Sequence, residues 1–543
     1  MSRFRLIGGR CGRVAWLAAF GVMCLVSVAC FKHYQRYGLM IPPGGAVPGS
    51  PRELTSAPMA LNAFNPDKAN AETYGTILEN PFRSPLVAPR STFSADVNTA
   101  SYSNVRRFIT EGKLPPRDAV FVAEMVNYFP YRYPQPTGDD PVSLTLDLAP
   151  CPWKPEHKLA RIGVQARTLA ANQIPRRNFV FLVDTSGSME GETRLPLVKK
   201  SLELLVEQLS ASDHVSIVTY AGDAGLKLPS TPGDKKGRIL DAIHSLGAGG
   251  STNGEGGIKL AYETARRNFI DGGANRVILC TDGDFNVGQT SESELVQMIE
   301  KERASCVFLT ALGFGMGNLK NQQLEQLANH GNGHYAYIDT IEEAKKVFVT
   351  QGGALVCVAK DVKFQVEFNP AKVTAFRLIG YENRLLKDED FKNDAKDAGD
   401  IGSGHTVTAL YEIVPAGVNI DLPGVDALKY QAPARPVQPV GATDEWLTVK
   451  MRYKQPDGET SKELAAALRN SGTQPISDDF QFAAAVAEFA LVLRNSPYKG
   501  AASFDTALAR ASGANGYDPN GYRKEFIELV RKARGAKEQA MKD

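Results

Sequence analysis

The chain has 543 residues, 43% hydrophobic and 22% charged, with a formal net charge of +2. That length exceeds what one hydrophobic core normally organises, so several domains are expected, and the composition is that of ordinary folded protein. The basic residues are spread along the chain rather than massed, which gives no polyanion-binding signature and argues against nucleic acid as a partner.

The first predicted element is a signal or anchor segment over residues 1–31. Arg3, Arg5, Arg10 and Arg13 precede an uncharged apolar stretch at 14–31. As a helix this stretch would span roughly 27 Å at about 1.5 Å per residue, close to a hydrocarbon core of about 30 Å. The arginines place the leading end in the cytoplasm and the bulk of the chain outside it, so the expected localisation is the cell envelope, membrane-anchored and extracytoplasmic. The stretch ends in Ser27-Val28-Ala29-Cys30, which resembles a bacterial lipoprotein processing site with Cys30 as the lipidated residue, although Ser27 stands where Leu is usual. A lipid anchor and an uncleaved single-span anchor both stay open.

Residues 32–90 are rich in Pro, Gly, Ala, Ser and Asn without apolar periodicity and are expected to form a flexible linker. An N-terminal region of helices and strands follows at 91–175, with a short helix around 104–110 and a second at 118–129 introduced by Pro115-Pro116. The spacing of Asp96 and Asn98 hints at a calcium loop. A sixth-position Gly is missing, however, and Arg107 stands where a bidentate Glu is needed, so capping or turn formation is the expected role. Alternating runs at 142–148 and 159–166 have the period of half-buried antiparallel strands.

A different rhythm begins at Asn178. Apolar strands at 179–183, 215–220, 276–280, 307–312 and 335–338 alternate with helical stretches at 195–209, 235–246, 256–269, 292–303, 321–328 and 341–351. Strict alternation predicts an α/β fold with a doubly wound, mostly parallel sheet covered on both faces. In such sheets ligands bind beyond the carboxyl ends of the strands. Three predicted loops lie there: Asp184-Thr185-Ser186-Gly187-Ser188, the glycine-rich 247–254 containing Thr252, and Thr281-Asp282-Gly283-Asp284. They offer hydroxyl and carboxylate oxygens with no His or Cys, a donor set for Mg²⁺, with Mn²⁺ or Ca²⁺ as alternatives, rather than zinc.

Asp184, Ser186, Ser188, Thr252 and Asp282 resemble, in order and loop context, the metal-ion-dependent adhesion site of von Willebrand factor type A domains, a likeness covering residues 176–353. The resemblance implies that Ser186 and Ser188 ligate the metal directly, that Thr252 does so in at least one state, and that Asp184 and Asp282 act directly or through water. It also implies a coordination position completed by a partner's carboxylate. The flanks resemble bacterial membrane-anchored proteins of the YfbK type, through the run from Ser91 to Tyr102, Glu124-Met125-Val126-Asn127-Tyr128-Phe129, Glu445-Trp446-Leu447-Thr448-Val449-Lys450 and Ser477-Asp478-Asp479-Phe480-Gln481-Phe482.

After the α/β domain, residues 354–455 read as antiparallel strands at 360–368, 373–379, 405–414 and 446–453. They match in pattern the strands before the domain, so one β-sandwich built from both sets, with the α/β domain inserted, is expected. Residues 456–543 read as a C-terminal helical region, with helices at 478–494, 503–511 and 521–537. The apolar stripe of Phe480, Phe482, Ala485, Val486, Phe489 and Leu493 is expected to be core. Cys11, Cys24 and Cys30 fall in the targeting region. No CxxC pair occurs, Cys280 and Cys306 are expected to be packed thiols, and Cys151 with Cys357 is a candidate bridge that the sequence leaves open.

Catalysis finds little support at the same residues. The Asp-Thr-Ser-Gly turn lacks the Gly after Asp-Thr and the second turn that aspartic proteases need. Ser186 has no nucleophile elbow and no His in the three loops, and neither a phosphate-binding loop nor a His-Glu-x-x-His helix occurs. His214, His244, His330 and His334 read as caps or surface residues. The expected function is binding of a protein partner that offers an acidic side chain to the metal, with no enzymatic activity. A metal-dependent hydrolase using the same site, and a structural metal with binding by the sandwich, are the alternatives.

Overall fold

The computed structural model describes residues 74–95, 98–283, 285, 292–315, 321–396, 398–422, 443–456, 458–469 and 476–540. All of them fall in the compact unit Pro66–Asp543. Cys30 and the anchor segment, Asp96 and Asp284 lie outside the described residues.

In chain order the chain first forms β1 (Arg90–Ser94), α1 (Ala100–Thr110), α2 (Val122–Asn127), β2 (Val142–Pro150) and β3 (Lys158–Ala166). The α/β domain contains β4 (Arg177–Asp184), α3 (Leu195–Glu207), β5 (His214–Tyr220), β6 (Ala224–Pro232), α4 (Lys236–His244) and α5 (Gly254–Arg267). It continues through β7 (Ala274–Thr281), α6 (Glu292–Ala304), β8 (Val307–Phe314), α7 (Asn321–His330), β9 (Tyr335–Ile338) and α8 (Ile341–Lys345). Then follow β10 (Cys357–Phe368), β11 (Val373–Ile379), β12 (Leu385–Leu386), β13 (Gly399–Gly402), β14 (Thr406–Pro415), β15 (Glu445–Lys454), β16 (Ser461–Arg469), α9 (Asp478–Leu493), α10 (Phe504–Gly513) and α11 (Tyr522–Ala540).

The α/β sheet has the order β6-β5-β4-β7-β8-β9, parallel except for β6, which returns antiparallel beside β5. Its central strands are apolar on both faces because both are covered. Phe179, Phe181 and Val183 of β4 enter one core with α3 and α4, while Val180 and Leu182 enter the other with α5 and α7. This two-sided burial is what makes the central strands read as continuous apolar runs. β6 escaped the sequence reading because it is a half-exposed edge strand carrying Gly225, Pro229 and Pro232.

The sandwich draws on both sides of the insertion. One sheet has the order β12-β1-β10-β15-β16 with β13 on β10, and the other has the order β11-β14-β3-β2. Their shared core includes Phe93, Ile162, Val164, Phe364, Phe368, Phe376, Tyr411 and Met451. The α/β fold, its insertion into a sandwich and the terminal helices are thus as expected. A fourth core joins α1 and α2 to α9, α10 and α11, centred on Phe129, Phe482 and Phe526, whose ring centroids lie 4.9 to 5.5 Å apart in edge-on pairs. α9 is buried nearly all round: Ala483, Ala484, Ala487 and Ala490 are as inaccessible as the expected stripe, and only Leu493 of that stripe is partly exposed.

Several expectations need correction. The segment expected as linker up to residue 90 is packed well before that point. Asn80 donates to the carbonyls of Leu378 at 3.1 Å and Gly380 at 2.8 Å, and Glu79 accepts from Ser496 at 2.6 Å. These are polar anchors, which leave no trace in apolar periodicity. Residues 461–469, expected in a helical region, form β16, because pairing along β15 overrides the helix propensity of Leu464-Ala465-Ala466-Ala467-Leu468. The helix expected at 118–129 is shorter, a 3₁₀ turn at Arg117–Ala119 followed by α2. Cys306 is exposed rather than packed, and Cys151, Cys280 and Cys357 are free thiols, so the candidate bridge is absent.

Two buried charge clusters tie these layers together. Arg106 of α1 bonds Asp339 and reaches Glu343 of α8 at 2.8 Å, Glu525 of α11 at 2.9 Å and the Tyr128 hydroxyl at 3.0 Å. One guanidinium therefore joins the α/β domain to the helical layer. In the sandwich, Glu412 accepts from Arg377 at 3.0 Å and Trp153 at 3.2 Å and lies 2.7 Å from His157 Nδ1. Burial alone would raise the Glu412 pKa, but the bonds from His157, Arg377 and Trp153 outweigh it and hold the carboxyl below its ordinary value.

Arg106→Ala leaves Asp339 buried without its cation and Glu343 with Lys346 alone, 3.9 Å away, and should cost about 3–5 kcal/mol in urea unfolding. The depressed Glu412 pKa contributes stability that is fully present above the ordinary value of 4.5 and is lost as pH falls through the folded-state value. Stability measured across that range should show the gap between wild type and Glu412→Gln narrowing on the acid side.

Candidate metal centre

The carboxyl end of β4 carries Asp184 out of the sheet and straight into a 3₁₀ turn at Gly187–Met189. Asp184 is fully buried and Ser186 nearly so, while Ser188 is half-buried. The Ser186 backbone N–H donates to Asp184 Oδ1 at 2.9 Å. Asp184 Oδ2 accepts from the Tyr220 hydroxyl and from Thr281 Oγ1, each at 3.1 Å. The carboxylate is thereby fixed by β5 and β7, the two neighbours of its own strand. Burial and the nearby Asp282 raise the Asp184 pKa against the lowering effect of these hydrogen bonds.

The second loop docks by its backbone. Gly249 N–H donates to Thr185 O at 2.8 Å, and Gly187 N–H donates to Gly250 O at 3.0 Å. Gly250 adopts φ of 86°, a left-handed conformation that glycine alone takes without strain. Thr252 follows, half-buried, directly before Asn253, whose side chain caps α5 by accepting from Gly256 N–H at 3.2 Å. The third loop leaves β7 with Asp282 buried, and Gly283 N–H bonds Thr281 Oγ1 at 3.2 Å.

The structure therefore brings Asp184, Ser186 and Ser188 together directly, sets Asp282 at the adjacent strand end, and seats the Thr252 loop against the Asp184 turn. Sequence reasoning gave no role to Tyr220, Thr281 or Arg194. Thr281 and Tyr220 end their strands, and that position was the available signal. Arg194 stands at the N-terminus of α3, where one guanidinium nitrogen bonds the Ser188 carbonyl and Nε lies 3.7 Å from Asp282 Oδ2. Only the folded loops reveal it.

The donor set suits a small hard cation. Ser186 and Ser188 Oγ stand 3.0 Å apart. Neighbouring ligands of an octahedral ion at about 2.0–2.1 Å are separated by about 2.9 Å, so both hydroxyls can take adjacent positions on Mg²⁺ without moving far. Among the described residues no three His, Cys, Asp or Glu side chains gather into a metal cage. Two carboxylates with hydroxyls hold a divalent ion while leaving coordination positions to other oxygens.

A doubly wound sheet with this strand-end turn defines a von Willebrand factor type A domain, and the family model of that description matches residues 178–350. A model described as von Willebrand factor matches 68–161, and one described as "Uncharacterized protein YfbK, C-terminal" matches 353–536. "Uncharacterized protein YfbK" of Escherichia coli K12 is 43% identical over 484 residues, covering 88% of this chain and 83% of that protein. The chain belongs to the YfbK family of von Willebrand factor type A domain proteins. Human inter-alpha-trypsin inhibitor heavy chain H3 is 28% identical over 175 residues, 30% of this chain and 19% of that protein. A solved structure titled "von Willebrand factor type A from Catenulispora acidiphila" covers 84% of this chain and 91% of its own at 12% identity and a TM-score of 0.38. Domains of this type are typically protein-interaction modules, often metal-dependent and generally non-enzymatic.

The seat of Tyr220 gives a direct test of how the site is held. A Cβ on Gly257 of α5 would stand 2.8 Å from Tyr220 Cβ. Gly257→Ala should push Tyr220 off Asp184 and lower stability by about 1–3 kcal/mol in thermal denaturation without added metal.

Proposed function

We propose that this chain is a membrane-anchored, extracytoplasmic adhesion or scaffold protein that binds a protein partner through a Mg²⁺-dependent site. Asp184, Ser186, Ser188, Thr252 and Asp282 would hold the ion. The observation that carries this reading is the pair of Ser186 and Ser188 hydroxyls, 3.0 Å apart beside a buried carboxylate at the carboxyl end of a central strand. A bound Mg²⁺ supplies an incompletely neutralised Lewis acid able to take an external carboxylate. The protein's own residues do the rest. Tyr220 and Thr281 hold Asp184 in place, the 3₁₀ turn presents both hydroxyls, and the glycine-rich loop keeps Thr252 at the rim. Rigid positioning of this kind favours capture of an acidic side chain presented by a partner.

Support for the anchor lies in the sequence, in the arginines ahead of residues 14–31 and in Cys30. No helix among the described residues is long and apolar enough to cross a membrane.

Crosslinking pulldown from membranes tests the proposal with wild type and Asp184→Ala compared in Mg²⁺ and in EDTA. Wild type in Mg²⁺ should enrich a discrete partner, and both Asp184→Ala and EDTA should lose it while circular dichroism remains native. Capture that survives EDTA would contradict the proposal.

A further inference from the structure

Sheets blunt their open edges with charge, proline, brevity or cover, because a bare row of N–H and C=O groups invites another strand. Most edges of this fold follow that rule. β12, at one end of its sheet, has two residues. β11 is covered by Arg83, whose N–H and carbonyl exchange bonds with those of Phe376 at 2.9 and 3.0 Å. β9 lies against α1, and its Tyr335 N–H is taken by Asn98 Oδ1 at 3.0 Å. β2 carries Asp147 inside the strand, and β6 carries Gly225, Pro229 and Pro232. β16 is different. It pairs along β15 from Glu445↔Arg469 to Lys454↔Ser461, and among the described residues no strand lies on its outer side. Its middle, Leu464-Ala465-Ala466-Ala467-Leu468, has no charge, Pro or Gly.

The strand is also complementary to itself. Placed antiparallel to a second β16 with a two-fold axis at Ala466, it sets Ala465 against Ala467, Leu464 against Leu468 and Glu463 against Arg469, each pair occurring twice. Leu464 and Leu468 pack on the sandwich core, so this pairing carries the core across the axis. Glu463, Ala465, Ala467 and Arg469 are exposed on the other face, where the charges at the two ends are opposite in sign. Arg469 bonds Glu445 of its own chain at 2.8 Å, and its five N–H donors suffice to take the second copy's Glu463 as well. The register is specific. An axis at Ala465 would set Lys462 against Leu468, and one at Ala467 would set Arg469 against Ala465. We infer that the chain forms a two-fold dimer by antiparallel pairing of β16 with the β16 of a second copy, joining the two sandwich sheets into one. A symmetric pairing of this kind closes the open edge. It is independent of metal at the strand-end turn, and it gives each assembly two such turns, so that a partner can be held at two points.

Sedimentation velocity of the full-length chain in detergent tests it. Wild type should pass from monomer to dimer as its concentration rises. Ala465→Lys with Ala467→Lys, at two exposed positions, sets lysine against lysine across the axis and should keep the chain monomeric while circular dichroism remains native. Glu463→Arg alone should raise the dimer dissociation constant roughly tenfold, and adding Arg469→Glu should restore it. Should the paired lysines prevent folding, this charge swap decides. In a Cys306→Ser background, which removes the exposed thiol, Ala466→Cys should give a disulfide-linked dimer under mild oxidation, above the level of the background chain. Directly opposed residues of an antiparallel pair have Cα atoms about 4.5–5.5 Å apart, within the reach of a disulfide. A wild type that stays monomeric at every concentration, or a dimer that the paired lysines and the charge swap leave unchanged, would overturn the inference.

Discussion

The structure depends on holding one carboxylate, Asp184, at the end of a strand buried on both faces. Burial penalises its charge, and the fold answers with three directed donors, the Ser186 N–H, the Tyr220 hydroxyl and Thr281 Oγ1. These come from the carboxylate's own turn and from the strands on either side. The parallel order of β5, β4 and β7 is what brings those strand ends together. A site with this construction is stiff, because moving Asp184 would break contacts in three elements at once.

The surrounding layers protect that arrangement. The α/β domain leaves the sandwich after β3 and returns at β10, and both sheets need strands from each side of the insertion. Separate folding of the sandwich halves would leave each without its partner sheet. Arg106 then fastens α8, the last helix of the inserted domain, to α1 and α11. A buried cation shared among Asp339, Glu343 and Glu525 resists separation, since drawing Arg106 away would leave Asp339 buried without its cation. The helical layer is consequently part of the same folded body as the domain that carries the site.

Much of this was legible in the sequence. Two-sided burial prints itself as apolar runs such as Phe179 to Val183, and helix faces repeat at the expected spacing, so the inserted α/β fold emerged from pattern alone. That Asp184, Ser186, Ser188 and Asp282 come together could be read because they follow the ends of neighbouring strands, and Thr252 because its glycine-rich loop precedes a helix. Other features were hidden for physical reasons. β16 is helical by propensity and becomes a strand only through its pairing with β15. The anchor contacts of Glu79 and Asn80 are polar and aperiodic, so a packed segment looked like tether. Arg194, Tyr220 and Thr281 act through distances that no spacing along the chain encodes.

Whether the strand-end oxygens hold a divalent cation is decided by anomalous diffraction from crystals grown in Mn²⁺. A single strong anomalous peak is expected, bonded to both Ser186 Oγ and Ser188 Oγ at about 2.0–2.3 Å from each. Crystals holding Mn²⁺ elsewhere, with no peak at that pair of hydroxyls, would contradict it.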